Sequence, residues 1–340
     1  MSKEIIKTDI AIIGAGPVGL FAVFEAGLLK MRCHLIDALP QVGGQLSEIY
    51  PRKPIYDIPG YPSIDAQDLV DELMKQIAPF HPSFTLGERV ESLEKQEDGS
   101  YYVIGNEGTV IHAPVVVIAG GLGSFEPRRP DLPGILDYEG RGGIHYFVKN
   151  PENYRDKRIV IAGGGDSALD WTIYLSDIAE RLTLVHRSDS FRGAPDSAEK
   201  VFKMAEQGKI DLILQSNLSS VHGENGQLKK VGVTDKSKIE TLLDVDYLIP
   251  LFGLSPKLGP IGEWGLNIEK SAVAVDTFDY STNVERIYAI GDINTYPGKL
   301  KLILCGFHEA ALMCQSAFKY VYPEQKLSFK YTTVNGIHAF

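Results

Sequence analysis

The chain has 340 residues, which is more than one hydrophobic core usually spans, so we expect two domains. Hydrophobic residues make up 44% of the chain and charged residues 23%, as in an ordinary globular protein. The net charge of -10 argues against nucleic acid as a partner, because polyanion-binding proteins normally carry a basic surplus. Apolar runs such as residues 114–119 are too short to cross a bilayer, so no membrane contact is expected.

The N-terminus and the cysteines indicate the compartment. The chain runs within a few residues into an apolar stretch and shows no signal-peptide pattern. The three cysteines, Cys33, Cys305 and Cys314, are scattered. An odd and sparse set suits a reducing compartment and predicts no disulfide framework. We therefore expect a cytoplasmic protein.

The first predicted elements form a βαβ unit. Residues 10–13 read as a buried strand, a glycine turn follows, residues 18–30 have helical spacing, and residues 32–37 read as a second strand. Further elements follow in chain order: a helix over 65–80, a small antiparallel sheet over 90–104 and a buried strand over 115–119.

The same pattern restarts in the middle of the chain. Residues 158–162 read as a strand, and a second glycine turn follows. Residues 168–179 then read as a helix, and residues 182–185 read as a strand. Two copies of one supersecondary unit predict an α/β fold with two Rossmann-like nucleotide-binding domains.

The first glycine turn, residues 14–19, matches G-x-G-x-x-G between a strand and a helix. Gly14 permits the tight turn, Gly16 lets the backbone approach a pyrophosphate, and Gly19 allows close helix–strand packing. The helix N-terminus offers free N–H groups and a partial positive charge to the phosphates. Asp37 lies 18 residues after Gly19 and can accept hydrogen bonds from both hydroxyls of an unphosphorylated ribose.

The second turn, residues 163–168, is the G-x-G-x-x-A variant, with Gly163 and Gly165 in the glycine positions. The position that matches Asp37 in spacing is His186, followed by Arg187 and Arg192. A basic cluster binds a 2′-phosphate, whereas an acid repels it, so the second site is predicted to prefer NADP(H). A solvated loop is the alternative, but the matched spacing favours the phosphate.

The first site is predicted to hold FAD. Asp37 selects a free ribose, and a late strand over 286–290 leads into Gly291-Asp292 and a helix over 306–320. Such a turn can return to the first domain and bind the ribityl chain. An ordinary helix N-cap is the alternative for Asp292.

These motifs resemble the thioredoxin-reductase-like flavoproteins over essentially the whole chain. In that family the FAD domain is discontinuous, and the NADP domain is inserted into it. The resemblance implies an FAD-binding domain of residues 1–121 and 248–340, and an NADP(H)-binding domain of residues 122–247.

One departure from that family narrows the resemblance. Residues 142–165, where thioredoxin reductases carry a redox C-x-x-C, contain no cysteine, and neither do residues 39–50, where glutathione reductases carry theirs. Thiol chemistry needs a thiolate, so disulfide reduction is excluded at both positions. The remaining resemblance is to ferredoxin–NADP⁺ reductases of the thioredoxin-reductase-like type, which implies a homodimer.

This resemblance also implies further flavin contacts. Tyr50 would stack on one face of the isoalloxazine ring, and Tyr331, in the C-terminal tail, on the other. Half-buried packing is the alternative for both tyrosines. The remaining implied FAD contacts are Gln45, Val90, Phe125, Asp292 and Thr333.

The implied activity is electron transfer between ferredoxin or flavodoxin and NADP(H) through FAD, with hydride exchange between flavin N5 and nicotinamide C4. No metal and no catalytic acid or base is expected, because the flavin carries the chemistry. Candidate basic patches for docking an acidic carrier are Arg52-Lys53, Arg128-Arg129 and Lys299 with Lys301, and isolated solvated charges are the alternative for each. The alternatives are an NADPH-dependent flavoprotein reductase or oxidase with another acceptor, and a redox-sensing flavoprotein without turnover.

Overall fold

The N-terminal βαβ unit nucleates a five-stranded parallel sheet. The structure, a computed structural model, describes residues 5–327 and 336–337. All neighbouring strands of this sheet run parallel. The three central strands are almost wholly buried, since both faces are covered, and this explains their continuous apolar sequences. In spatial order the strands are Ile287–Ala289, Val115–Ile118, Ile10–Ile13, Cys33–Asp37 and Ser83–Leu86.

Alternation along these strands separates two cores. Ile10 and Ile12 point into one cluster, which contains the helices, whereas Ala11 and Ile13 point into the other. The helices on the first face are Pro17–Leu28, Ala66–Ile77 and Ile303–Val321. The second face packs against a four-stranded sheet of Ile6–Lys7, Val110–Ala113, Tyr101–Gly105 and Val90–Lys95. Shorter elements of this unit are the helix Gln45–Glu48, the strand pair Pro54–Ile55 and Ile64–Asp65, and the strands Ile268–Glu269, Ala272–Ala274 and Asn294–Thr295.

The second glycine turn belongs to a separate parallel sheet. Its four strands, in spatial order, are Asp211–Ile213, Arg181–Val185, Arg158–Gly163 and Tyr247–Leu251. Two helices accompany it, Asp166–Leu175 and Pro195–Glu206. A three-stranded antiparallel sheet completes this unit, with strands Asn217–Glu224, Gln227–Thr234 and Glu240–Asp244. The predicted α/β fold with two βαβ units is thus confirmed.

The chain divides into two compact units, one built from residues up to 124 and from 256 on, the other from residues 125–255. The crossing strands Ser124–Pro127 and Leu254–Lys257 pair with each other. The predicted boundary between residues 247 and 248 falls inside the strand Tyr247–Leu251, which pairs with Arg158–Gly163. The second unit therefore extends further than its predicted end at residue 247.

None of the helices in the described part of the chain combines the length and apolar character that a membrane-crossing helix needs.

A buried histidine in the first sheet makes stability depend on pH. His34 is 2% exposed, and its ring nitrogens lie 2.7 Å from Ser83 Oγ and 2.9 Å from Thr85 Oγ1. Burial lowers the pKa of His34 from 6.5 to about 4. The unfolded chain therefore binds a proton more readily, so the stabilisation is complete above pH 6.5 and is lost as the pH falls towards 4.

We expect the wild-type free energy of unfolding to fall by about 3 kcal/mol more between pH 7 and pH 4 than that of His34→Gln. Urea unfolding at a series of pH values measures this difference. His81→Gln, at an exposed histidine of the same unit, serves as the control and should keep the wild-type profile. Parallel profiles for the wild type and His34→Gln would contradict the prediction.

Candidate cofactor sites

The first glycine turn combines two crowded positions with one open position. Gly14 has φ +113°, and a Cβ there would lie 2.4 Å from the Ala119 carbonyl oxygen. A Cβ at Gly19 would lie 2.2 Å from the Gly14 carbonyl oxygen. At Gly16, in contrast, a Cβ would meet nothing within 4 Å. Packing therefore explains the outer glycines, whereas Gly16 leaves an open backbone face at the N-terminus of the helix Pro17–Leu28.

Asp37 lies beside this turn, at the end of its strand. Its Oδ2 accepts the Ala15 N–H at 2.6 Å, and its Oδ1 accepts the Leu39 N–H at 2.8 Å. Burial raises the pKa of Asp37, and the two backbone hydrogen bonds act in the opposite direction. Each carboxylate oxygen keeps a lone pair for another donor. The carboxylate is thus held in place and can accept from ribose hydroxyls.

The segment that contains Gln45 and Tyr50 lies against the same turn. The Gly43 N–H donates to the Ala15 carbonyl at 2.8 Å, and a Cβ at Gly44 would lie 3.2 Å from Gly16 Cα. Burial, followed by the charge of Asp292, raises the pKa of Tyr50 to about 12. Tyr50 is therefore a neutral phenol near Asp292. The structure brings these predicted residues together around one helix N-terminus.

Four other predicted contacts cannot be placed in this way. Val90 is 4% exposed and belongs to the core of its unit, so only its backbone is available to a ligand. The side chain of Phe125 lies outside what the structure describes, and Tyr331 and Thr333 lie outside the described residues.

The Gly291–Asp292 turn packs on the first helix. Gly291 has φ +77°, and a Cβ there would lie 3.4 Å from Val18 Cγ2. Burial raises the pKa of Asp292, and the charges of Lys301 and Lys299 lower it. The predicted docking role of Lys299 is wrong, because its side chain is only 6% exposed and pairs with Glu309. Sequence reasoning did not single out Glu309, although an acid inside the apolar run of the last helix was a usable signal.

The second glycine turn repeats the open position. A Cβ at Gly163 would lie 2.6 Å from the Leu251 carbonyl oxygen, whereas a Cβ at Gly165 would meet nothing within 4 Å. The loop that follows the strand Arg181–Val185 is hydrogen-bonded to this turn. The Arg192 N–H donates to the Gly164 carbonyl at 2.8 Å, and Asp166 Oδ1 accepts the Ala194 N–H at 2.7 Å.

His186 differs from the prediction of a charged phosphate ligand. Its side chain is buried, its ring stacks on Phe191 with centroids 5.2 Å apart, and its Nε2 lies 3.1 Å from the Ser190 carbonyl. Burial is the main cause that lowers its pKa. The ring also fills the space beside Gly164, where a Cβ would come within 2.1 Å of it. His186 is therefore a neutral residue that shapes the loop.

Arg187 and Arg192 keep the character that the sequence predicted. Both are exposed, and within the described residues neither guanidinium forms an ion pair. Two cations thus flank a loop that is attached to an open glycine turn. This arrangement suits a phosphate with charge-assisted hydrogen bonds.

Two of the three cysteines lie in surroundings that suppress thiolate formation. Cys33 and Cys314 are buried, and burial raises the pKa of each thiol. None of the three cysteines lies in residues 39–50 or 142–165, where related reductases carry their redox pairs. Neither turn is accompanied by a thiol pair that could exchange with a disulfide.

Two parallel sheets, each with an open glycine turn at a helix N-terminus, are typical of oxidoreductases that bind two dinucleotide cofactors. The sequence model for pyridine nucleotide-disulphide oxidoreductases matches residues 8–310. The chain belongs to this family.

Relatives of known name cover nearly the whole chain. The protein named ferredoxin–NADP reductase 1 of Christiangramia forsetii is 63% identical over 98% of this chain and 95% of its own length. The ferredoxin–NADP reductase of Bradyrhizobium diazoefficiens is 52% identical over 97% of this chain and 96% of its own length. The resemblance inferred from the motifs is thereby confirmed.

Solved structures support the same fold. Thioredoxin reductase from Lactococcus lactis matches with a TM-score of 0.80 at 24% identity, over 93% of this chain and 99% of that one. The thioredoxin reductase of T. acidophilum matches with a TM-score of 0.79 at 21% identity, over 92% of this chain and 98% of that one. At such identities the likeness concerns the fold alone, and it confirms the predicted thioredoxin-reductase-like architecture.

Proposed function

We propose that this chain is an FAD-dependent ferredoxin–NADP reductase that transfers electrons between ferredoxin or flavodoxin and NADP(H). The observation that carries the proposal is the contrast between the two glycine turns. One has an acid at the ribose position, the other has two exposed arginines, and neither is accompanied by a cysteine pair. The near full-length relatives named ferredoxin–NADP reductase support the same activity.

We assign FAD to the first unit because its residues fit that cofactor. The open face at Gly16 admits a pyrophosphate against the backbone, and Asp37 accepts from the hydroxyls of an unphosphorylated ribose. Further FAD contacts that we propose come from Gly14, Gly19, Gln45, Tyr50, Val90, Phe125, Asp292, Tyr331 and Thr333. For Val90 the contact would be through the backbone.

We assign NADP(H) to the second unit. Gly163 and Gly165 shape the turn that admits the pyrophosphate, and Arg187 with Arg192 bind the 2′-phosphate. His186 supports the loop between them as a neutral side chain. The acid at the start of this helix, Asp166, is already bound to the Ala194 N–H and so does not need to face the phosphates.

When bound, FAD supplies the chemistry that links single-electron donors to hydride exchange with the nicotinamide. The chain contributes binding and orientation. Tyr50 offers an aromatic face beside Asp292, and its raised pKa keeps it uncharged at neutral pH. No side chain has to donate or accept a proton in this scheme.

The assembly and location are also part of the proposal. By resemblance, the chain acts as a homodimer in which the tail beyond Pro323 reaches the flavin of the partner subunit. Three scattered, unpaired cysteines suit a reducing compartment, which supports a cytoplasmic location.

The proposed activity predicts that NADPH-driven reduction of cytochrome c by the purified yellow protein depends on added ferredoxin. We expect ferredoxin to raise the rate at least about tenfold, because cytochrome c then receives its electrons from the reduced carrier. The control omits the reductase and keeps ferredoxin and NADPH. A rate that ferredoxin leaves unchanged would assign the flavin to another acceptor.

A further inference from the structure

The last helix of the first unit buries one carboxylate completely. Glu309 has 0% exposure and lies among apolar neighbours that include Ala310 and Met313. A carboxylate in such surroundings is stable only where hydrogen bonds and an opposite charge compensate for lost hydration. The partners of Glu309 therefore indicate what it does.

All four of its partners come from residues 291–299, between the strand Ile287–Ala289 and the last helix. Oε2 accepts the Gly291 N–H at 2.6 Å and Asn294 Nδ2 at 2.8 Å. Oε1 accepts the Tyr296 hydroxyl at 2.9 Å and pairs with Lys299 Nζ. One side chain thus ties four positions of residues 291–299 to the helix.

The segment 291–299 contains Asp292. Its first residue, Gly291, lies close to the helix Pro17–Leu28, which follows the first glycine turn. A Cβ at Gly306, one turn before Glu309, would lie 2.3 Å from Val18 Cγ2 and 3.4 Å from Gly291 Cα. Helix, turn and Val18 are therefore packed without spare space. A shift of the turn would move Asp292 relative to the helix Pro17–Leu28.

We propose that Glu309 is a positioning residue for FAD, which fixes the Gly291–Asp292 turn by accepting the Gly291 N–H. The proposal rests on FAD binding by the first unit. The two carboxylate oxygens offer enough lone pairs for all four donors, whereas a glutamine oxygen has two lone pairs and its amide nitrogen accepts none. Lys299 balances the charge, and its burial removes it from any docking surface.

The test is the rate at which FAD leaves the holoenzyme, followed by the rise in flavin fluorescence after dilution. In Glu309→Gln at least two of the four donors lose their acceptor, so we expect release at least about tenfold faster than in the wild type. Asp279→Asn is the matched control. Asp279 also anchors the last helix, by accepting the Ser316 hydroxyl at 2.6 Å, but none of its hydrogen bonds reaches the turn. Its FAD release should stay within about twofold of the wild type.

The double variant Lys299→Met with Glu309→Gln separates positioning from stability. It buries no unpaired cation, so its melting temperature should recover towards the wild type, whereas FAD release should remain fast. If the single variant does not fold, FAD release is measured in the double variant instead. Wild-type release in either variant, or equally fast release in Asp279→Asn, would overturn the proposal. A wild-type protein that binds no FAD would instead refute the proposed function on which it rests.

Discussion

Replacing Arg187 and Arg192 together by alanine is expected to raise the KM for NADPH about 100-fold and to leave the KM for NADH within about twofold. Both guanidinium groups are exposed and, within the described residues, form no ion pair, so they are available to a 2′-phosphate. Each charge-assisted hydrogen bond contributes about 1.5–3 kcal/mol, and NADH has no phosphate at that position. Steady-state kinetics with an artificial acceptor and both nucleotides measures the change.

The control for this prediction is Arg181→Ala. Arg181 begins the strand Arg181–Val185, whose other end leads into the loop with Arg187, and its side chain pairs with Asp211. It is also an exposed arginine of the second unit, but it lies at the far end of the strand. An equal rise in the KM for NADPH in Arg181→Ala would mean that general charge attraction, and not a phosphate site, is responsible. An unchanged KM in the double variant would place the phosphate elsewhere.

Local steric demands explain why the glycine turns could be predicted from the sequence. Gly14 and Gly163 face carbonyl oxygens of neighbouring strands at distances that no side chain tolerates, so the sequence must have glycine there. Buried parallel strands such as Ile10–Ile13 show as apolar runs for an equally direct reason. The domain boundary could not be predicted in this way, because no local pattern shows that the strand Tyr247–Leu251 pairs with Arg158–Gly163, far away in the chain.

The candidate sites also contain some features that the local sequence shows and others that only the fold shows. Asp37 was found because its spacing from the glycine turn follows from the βαβ geometry. His186 occupied the matching position, but the sequence could not show that its ring would be buried against Phe191. Lys299 and Glu309 are ten residues apart and read as an exposed base and a helix residue, and only the fold shows that they form one buried pair.

Gly16→Ala is expected to weaken FAD binding by roughly 5- to 150-fold and to leave the KM for NADPH unchanged. A methyl group at Gly16 meets no protein atom within 4 Å, so the chain itself accommodates it. It would occupy the space in which we propose that the pyrophosphate lies, and such overpacking costs about 1–3 kcal/mol, which corresponds to this loss of affinity. The FAD content of the purified protein and the rate of FAD release measure the effect.

Gly165→Ala is the reciprocal control, because Gly165 is also the N-cap of its helix and also has no neighbour within 4 Å for a Cβ. Both variants lose the same small contribution to helix capping, about 0.5–1 kcal/mol, so thermal unfolding should change by similar amounts. They should differ in the cofactor that is affected, since Gly165→Ala should raise the KM for NADPH and retain FAD. If both variants unfolded at the expected temperatures but lost FAD equally, the assignment of one cofactor to each glycine turn would be wrong.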